Sequence, residues 1–211
     1  MSKNDLRVWG IGTARTMRAH WMLAEMDVDY DLRPIGPRTG ETLTEEYLRL
    51  NPRHKVPVIE HGPFVLAESA AIANYLSETF PAPEGFFVPE DRARRAALNE
   101  WCFFVMTELD AHPLYLIRRH LQLAHIYGEA PHAVESARDY FCEQIDGMMK
   151  KFPDGMDSLM PEGMSVADIL MVTSLDYALT LEIPIPQPLH DYRDRIIERP
   201  AYRRAREINF P

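Results

Sequence analysis

The chain is poor in cysteine, with only Cys102 and Cys142 among 211 residues. They form no CxxC pair, so the sequence carries no dithiol or zinc-knuckle signal. Both lie in apolar, helix-like surroundings and are expected to be buried thiols, which fits a reducing, cytoplasmic setting. Basic residues are also in short supply. Lys and Arg number 23 against 32 Asp and Glu, a net charge of −9. An acidic chain repels phosphate backbones, so nucleic acid is not an expected partner. The densest basic group, Arg92, Arg94 and Arg95, sits beside Glu90 and Asp91 and reads as a solvated helix face. No apolar run approaches the roughly 20 residues of a membrane span. The start, "MSKNDLRVWG", has no apolar core of a signal peptide, so no export is expected. The eight histidines are scattered. His120 and His125 do not share a helix face, and no carboxylate stands at ligand spacing from His112 and His120, so no metal site is expected.

What is present is ordinary for a folded protein: 46% of residues are apolar, enough for a real core. "LRVWGI" alternates as a buried strand should and ends on Gly10 and Gly12. From Arg15 to Met26 the apolar positions Met17, Trp21 and Ala24, followed by Val28, trace an amphipathic helix. "VDYDLRPI", residues 28 to 35, reads as a second strand and "ETLTEEYLRL" as a short helix. Asn51-Pro52 breaks it. "VPVIE" and "FVLAE", joined by "HGP", read as a hairpin. Ser69 is a candidate N-cap for the helix "AAIANYLSETF". The order is β-α-β-α-β-β-α. The first two strands are expected to be parallel and the last two antiparallel.

The pattern changes after a proline-rich stretch, "FPAPEGFFVPEDR". Helices are expected at about 91–111, 113–125, 131–151, 166–180 and 190–207, with Pro113 and Pro200 as breaks. Ser165 and Asp168 have the spacing of a capping box. The expected organisation is an α/β domain over residues 1–80, a linker over 81–90 and an all-helical domain over 91–211.

"KVPVI", "LAESAAIANYL" and "SVADILM", in this order and spacing, resemble the soluble glutathione transferases over nearly the whole chain. The resemblance implies a thioredoxin-like N-terminal domain followed by an all-helical bundle. It also implies glutathione as co-substrate, a small hydrophobic electrophile as second substrate, a cytoplasmic homodimer and no metal. It gives physical meaning to several residues. In this family the bond before Pro57 is cis, and Val56 presents its backbone to the extended tripeptide as an added strand would. A helix N-terminus is a ready anion site, so Ser69 is expected to hold the γ-glutamyl carboxylate and Glu68 the ammonium. Lys55 is expected at the glycyl carboxylate.

The family ionises the glutathione thiol, whose ordinary pKa is about 8.5, with a hydroxyl or thiol near the first helix. Trp9 stands about where the tyrosine type has its donor, and the loop has no cysteine, which leaves the serine type of the zeta- and theta-like branch. Here the chain departs from the pattern. Counting back from Tyr30 places Thr13 in the serine position, whereas counting from Arg18 places Ala14 there. Thr16 is the other hydroxyl, and plain helix capping accounts equally for either threonine. Thr13 is the expected catalytic residue, with Arg15 adding positive potential for an anion.

Two alternatives stay open. One is a glutathione-dependent isomerase or dehalogenase resembling maleylacetoacetate isomerase, whose paired serine and cysteine are Ala14 and Arg15 here. The other is a non-catalytic binding or regulatory protein. Trp101, Met106, Leu109, Tyr115 and Arg118 are positioned to line a second-substrate pocket, although such side chains more often serve as core.

Overall fold

The structure is a computed structural model that describes residues 5–152 and 155–211. The chain forms two compact units that divide at Val88 and Pro89, with Glu198–Pro211 returning to the first.

The first unit begins with β1 (Leu6–Trp9), α1 (Ala14–Glu25) and β2 (Asp31–Arg33). A single 3-10 turn (Glu41–Leu43) precedes α2 (Glu45–Leu50), and β3 (Val58–His61), β4 (Phe64–Ala67) and α3 (Ser69–Thr79) follow. The strands form one mixed sheet in the order β2-β1-β3-β4. β1 pairs parallel with β2, and β3 pairs antiparallel with both β1 and β4, as the order of elements requires. This is the thioredoxin-like α/β arrangement. β2 is shorter than the alternation of residues 28–35 suggests, because only Asp31–Arg33 finds a partner across from β1.

Strand alternation gives β1 two faces. Leu6 and Val8 lie on one face, where Val8 pairs with Ile59, and all three are buried. Trp9 and Val58 lie on the other and are covered by Tyr47 of α2. Arg7 shares that face and is held between its neighbours on either side, by Asp31 of β2 at 2.9 Å and Glu60 of β3 at 3.0 Å.

α1 is buried on nearly every side, including the polar positions Thr16, Arg18, His20 and Glu25. α3 packs against it, and so does the last helix of the chain. That helix, Pro200–Asn209, belongs to the first unit, not to the helical domain that was expected to run to residue 211. It covers α1 in antiparallel fashion. Arg199, before its first turn, holds Glu25 by two bonds of 2.8 and 2.7 Å. Trp21 meets Tyr202 edge to face at 4.9 Å between ring centres. At the far end, Asn209 reaches Thr13 and Thr16.

The second unit is helical: α4 (Arg92–Phe104), a π-helical segment (Val105–Leu114), α5 (Tyr115–His120), α6 (Ala124–Tyr127), α7 (Pro131–Met149), α8 (Val166–Thr180) and α9 (Gln187–Ile197). The last helix of the chain, α10 (Pro200–Asn209), completes the order. Pro113 does not break its helix as expected. The chain passes through it in π-helical form, where the wider turn accommodates the missing N–H. Pro200 does separate α9 from α10, and it opens α10 at a position where its lost N–H costs nothing. Cys102 is buried as expected, whereas Cys142 is only half-buried.

Among the described residues, no helix is long and apolar enough to cross a membrane.

Candidate active site

The turn between β1 and α1 is shaped by Gly10, whose φ is +113°. A side chain there has no room, since a Cβ would lie 2.5 Å from Val56 Cβ and 2.9 Å from Thr16 Cγ2. Glycine thus lets the start of α1 and the segment before Pro57 touch. Thr13 is the N-cap of α1. Its hydroxyl accepts the Thr16 N–H at 3.0 Å, and the Thr13 N–H donates to Thr16 Oγ1 at 3.0 Å. This is a capping box in which a second threonine stands where an acid is usual. The first turn of α1 holds no acidic residue, so its positive end is not offset by a carboxylate of its own.

The neighbouring segment carries the cis bond Val56-Pro57. The β1–β3 ladder begins at Val58, so Val56 lies outside it. The segment is fixed through the Lys55 carbonyl, which accepts from Tyr47 Oη at 2.6 Å and from Asn51 Nδ2 at 2.8 Å. The Lys55 side chain is exposed. The third corner is the start of α3. Ser69 is its first helical residue and not its N-cap as expected. Glu68 takes the cap position at φ +73°, and no side chain caps that end. The chain turns so sharply there that Ser69 Oγ points to α1, where Arg18 donates to it at 3.1 Å. Glu68 is exposed and paired with Arg53 at 2.9 Å. Arg15 stands half-buried in the first turn of α1.

All three corners thus meet α1: at Gly10 Val56 comes close to Thr16, the box partner of Thr13, and Arg18 reaches Ser69. Of the two hydroxyls weighed for sulfur, Thr16 is wholly buried and Thr13 keeps 9% of its surface. Thr13 is thus the less buried of the two. Ala14, the other counted position, is the first helical residue and has no hydroxyl.

Other residues escaped the sequence reading. His20 sits under the turn, with Nε2 2.9 Å from the Gly10 carbonyl and Nδ1 2.7 Å from the Tyr30 hydroxyl. A carbonyl only accepts, so Nε2 carries the proton and Nδ1 accepts from Tyr30. Burial lowers the His20 pKa and pushes the Tyr30 hydroxyl up to about 12, which keeps both neutral. Asn209 binds Thr13 and Thr16 from the last helix. No local signal marks a partner so far away in the chain.

Residues 4–78 match the glutathione S-transferase N-terminal domain. The chain belongs to the glutathione transferase family. It is 28% identical over 173 residues to glutathione S-transferase D7 of Drosophila melanogaster, covering 81% of this chain and 74% of that one. It is 30% identical over 163 residues to glutathione S-transferase theta-3 of Mus musculus, covering 75% of this chain and 66% of the relative. The chain thus spans about two thirds to three quarters of these relatives' lengths. Its fold matches that of the glutathione transferase URE2P6 from Phanerochaete chrysosporium, solved with oxidized glutathione. The TM-score is 0.84 at 19% identity, over 98% of this chain and 96% of that one. Within this glutathione transferase, no group of three His, Cys, Asp or Glu among the described residues is arranged to hold a metal ion.

Proposed function

We propose that this glutathione transferase binds glutathione at the corner built by Thr13, Val56 and Ser69 and transfers its thiolate to a small hydrophobic electrophile. The tripeptide lies extended beside Val56, as a further strand, with Pro57 behind it. Its γ-glutamyl carboxylate meets Ser69 and the free amides of α3, and its ammonium competes with Arg53 for Glu68. Lys55 reaches the glycyl carboxylate. The sulfur lies at the mouth of α1, where Thr13 donates a hydrogen bond and Arg15 adds positive potential. We place the protein in the theta-like branch, with threonine in the serine's role, as a cytoplasmic homodimer.

One observation carries this reading: Thr13, the less buried of the two threonines, caps a helix whose first turn holds no carboxylate. A helix N-terminus and a hydroxyl donor both favour a thiolate. Lowering the thiol pKa from about 8.5 to about 6.5 raises the ionised fraction at pH 7 from a few per cent to about three quarters. The protein's contribution is then positioning and electrostatic stabilisation, with no covalent enzyme intermediate.

The test is a thermal shift with millimolar glutathione, followed by conjugation of an aromatic halide. Stabilisation with turnover is the expected result. Stabilisation without turnover makes the protein a binding module, and neither response removes glutathione from its function. Thr13→Ala is expected to lower kcat/KM at pH 6.5 by about ten- to a hundredfold, the worth of a hydrogen bond to a charged group. A Thr13→Ala variant as fast as the parent takes Thr13 out of the mechanism. Light scattering is expected to give twice the 24.4 kDa chain mass.

A further inference from the structure

The hydrogen bonds around Thr13 can be assigned proton by proton. Thr16 Oγ1 lies 2.7 Å from Asn209 Oδ1, 2.9 Å from the Thr13 carbonyl and 3.0 Å from Thr13 Oγ1. It also accepts the Thr13 N–H at 3.0 Å. Asn209 Nδ2 lies 3.0 Å from the Thr13 carbonyl, which orients the amide and leaves Oδ1 facing Thr16. An amide oxygen has no proton to give, so Thr16 must donate in the shortest of these contacts. Its single proton is then committed to Asn209. Thr13 Oγ1 accepts the Thr16 N–H, and among the described residues its own proton has only Thr16 Oγ1 as an acceptor. That proton is the one not committed to a carbonyl. Asn209 also takes the Gly12 N–H on its backbone carbonyl at 2.8 Å. Asn209 is completely buried.

We infer that Asn209, at the end of α10, is the positioning residue that makes Thr13 the hydroxyl that faces the sulfur. It occupies the Thr16 proton, clamps the Thr13 carbonyl and pins Gly12, so the cap residue is held by the opposite end of the chain. A helix cap alone asks for none of this, because Thr13 and Thr16 satisfy each other's amides without help. A buried amide with both polar atoms aimed at the box adds orientation instead. The inference rests on the proposed glutathione chemistry, and its test keeps the two apart.

The measurement is the pKa of the thiol of bound glutathione, read from thiolate absorbance against pH in the saturated complex, together with the Kd for glutathione. Asn209→Leu keeps the side chain's size and removes both bonds. It is expected to raise the bound thiol pKa by about one unit, a tenfold loss of thiolate below both pKa values, with Kd changed less than about threefold. The double variant Thr13→Ala/Asn209→Leu is expected to match Thr13→Ala alone, since both act through one donor. An unchanged thiol pKa in Asn209→Leu, or a further rise in the double variant, overturns the inference. Phe210→Ala, at the exposed next residue, is the control and is expected to leave the pKa unchanged. Asn209→Ala covers the case in which Asn209→Leu fails to fold, and it is expected to raise the bound thiol pKa by about one unit as well. An unchanged pKa in that variant overturns the inference. If the parent itself shows no saturable response to glutathione, the failure lies with the proposed function.

Discussion

Two helices of this protein, α1 and α8, begin with the same device in different chemistry. At α8 the box is Ser165 with Asp168, and both are completely buried. Asp168 Oδ2 accepts from Ser165 N at 2.7 Å and from Ser165 Oγ at 2.9 Å. Its Oδ1 accepts from Leu159 N at 2.7 Å and from Tyr192 Oη at 2.7 Å. The carboxylate also sits where the α8 dipole is positive. Every lone pair in reach is used, and the device joins α8 to α9 and to the loop before it. Burial still pushes the Asp168 carboxyl above its usual range, while these four bonds pull the other way. At α1 the third helical position holds Thr16 in place of the acid. The amides are capped just as well, but the first turn holds no carboxylate against its positive end. A saturated box serves the fold alone. A neutral one leaves room for an external anion.

The comparison can be broken at either box. The largest effect is expected from Asp168→Asn. The new amide points hydrogens at donors it cannot satisfy, so stability is expected to fall by about 3 kcal/mol, read from denaturant midpoints. A loss below about 1 kcal/mol would show that the box is not fully engaged. At the other box, Thr13→Ala is expected to cost only about 1 kcal/mol of stability, the usual worth of a cap, while its effect on turnover is the larger one. Thr13→Ser sharpens the contrast, because it keeps cap and donor alike. It is expected to stay within about 0.5 kcal/mol in stability and about threefold in kcat/KM.

The smallest effect concerns His20, which ties the α1 turn through Gly10. Its folded pKa lies below the ordinary value of 6.5 because burial disfavours the charged ring. The unfolded chain therefore binds the proton first as pH falls. His20 contributes fully to stability above pH 6.5, and its contribution declines below that, until the folded state's own pKa is reached. A His20→Gln variant is expected to be less stable at about pH 8 yet to lose less of its melting temperature between about pH 7 and 5.5 than the parent. Equal slopes in the two proteins would exclude His20 as a source of the acid sensitivity.

Much of the first unit is legible in the sequence because its signals are local. The alternation of "LRVW" and the turn at Gly62 each act within a few residues, as does the capping spacing of Ser165 and Asp168 in the second unit, and all three appear as expected. The amphipathic stripe of α1 is legible only in part. Met17 and Trp21 are buried as expected, but so are Arg18, His20 and Glu25, because α3 and α10 cover the sides that the stripe leaves polar. Each of these polar groups finds a partner outside α1: Ser69, Gly10 with Tyr30, and Arg199. Ser69 looks like a cap for the same reason. Its hydroxyl is drawn away by a buried arginine that nothing near Ser69 in the chain announces. Pro113 reads as a break because local rules do not foresee a π-helical turn.

By itself the sequence determined the order and type of most elements and the residue types available to the site. Hydrophobic period, proline and glycine positions and cap spacing act over one or two turns of chain. Tertiary structure alone decided which threonine of the box is the less buried, which element covers α1 and which distant residue closes on the box. Those outcomes depend on partners from opposite ends of the chain, and such pairings come from packing and from the demand that buried polar groups be satisfied.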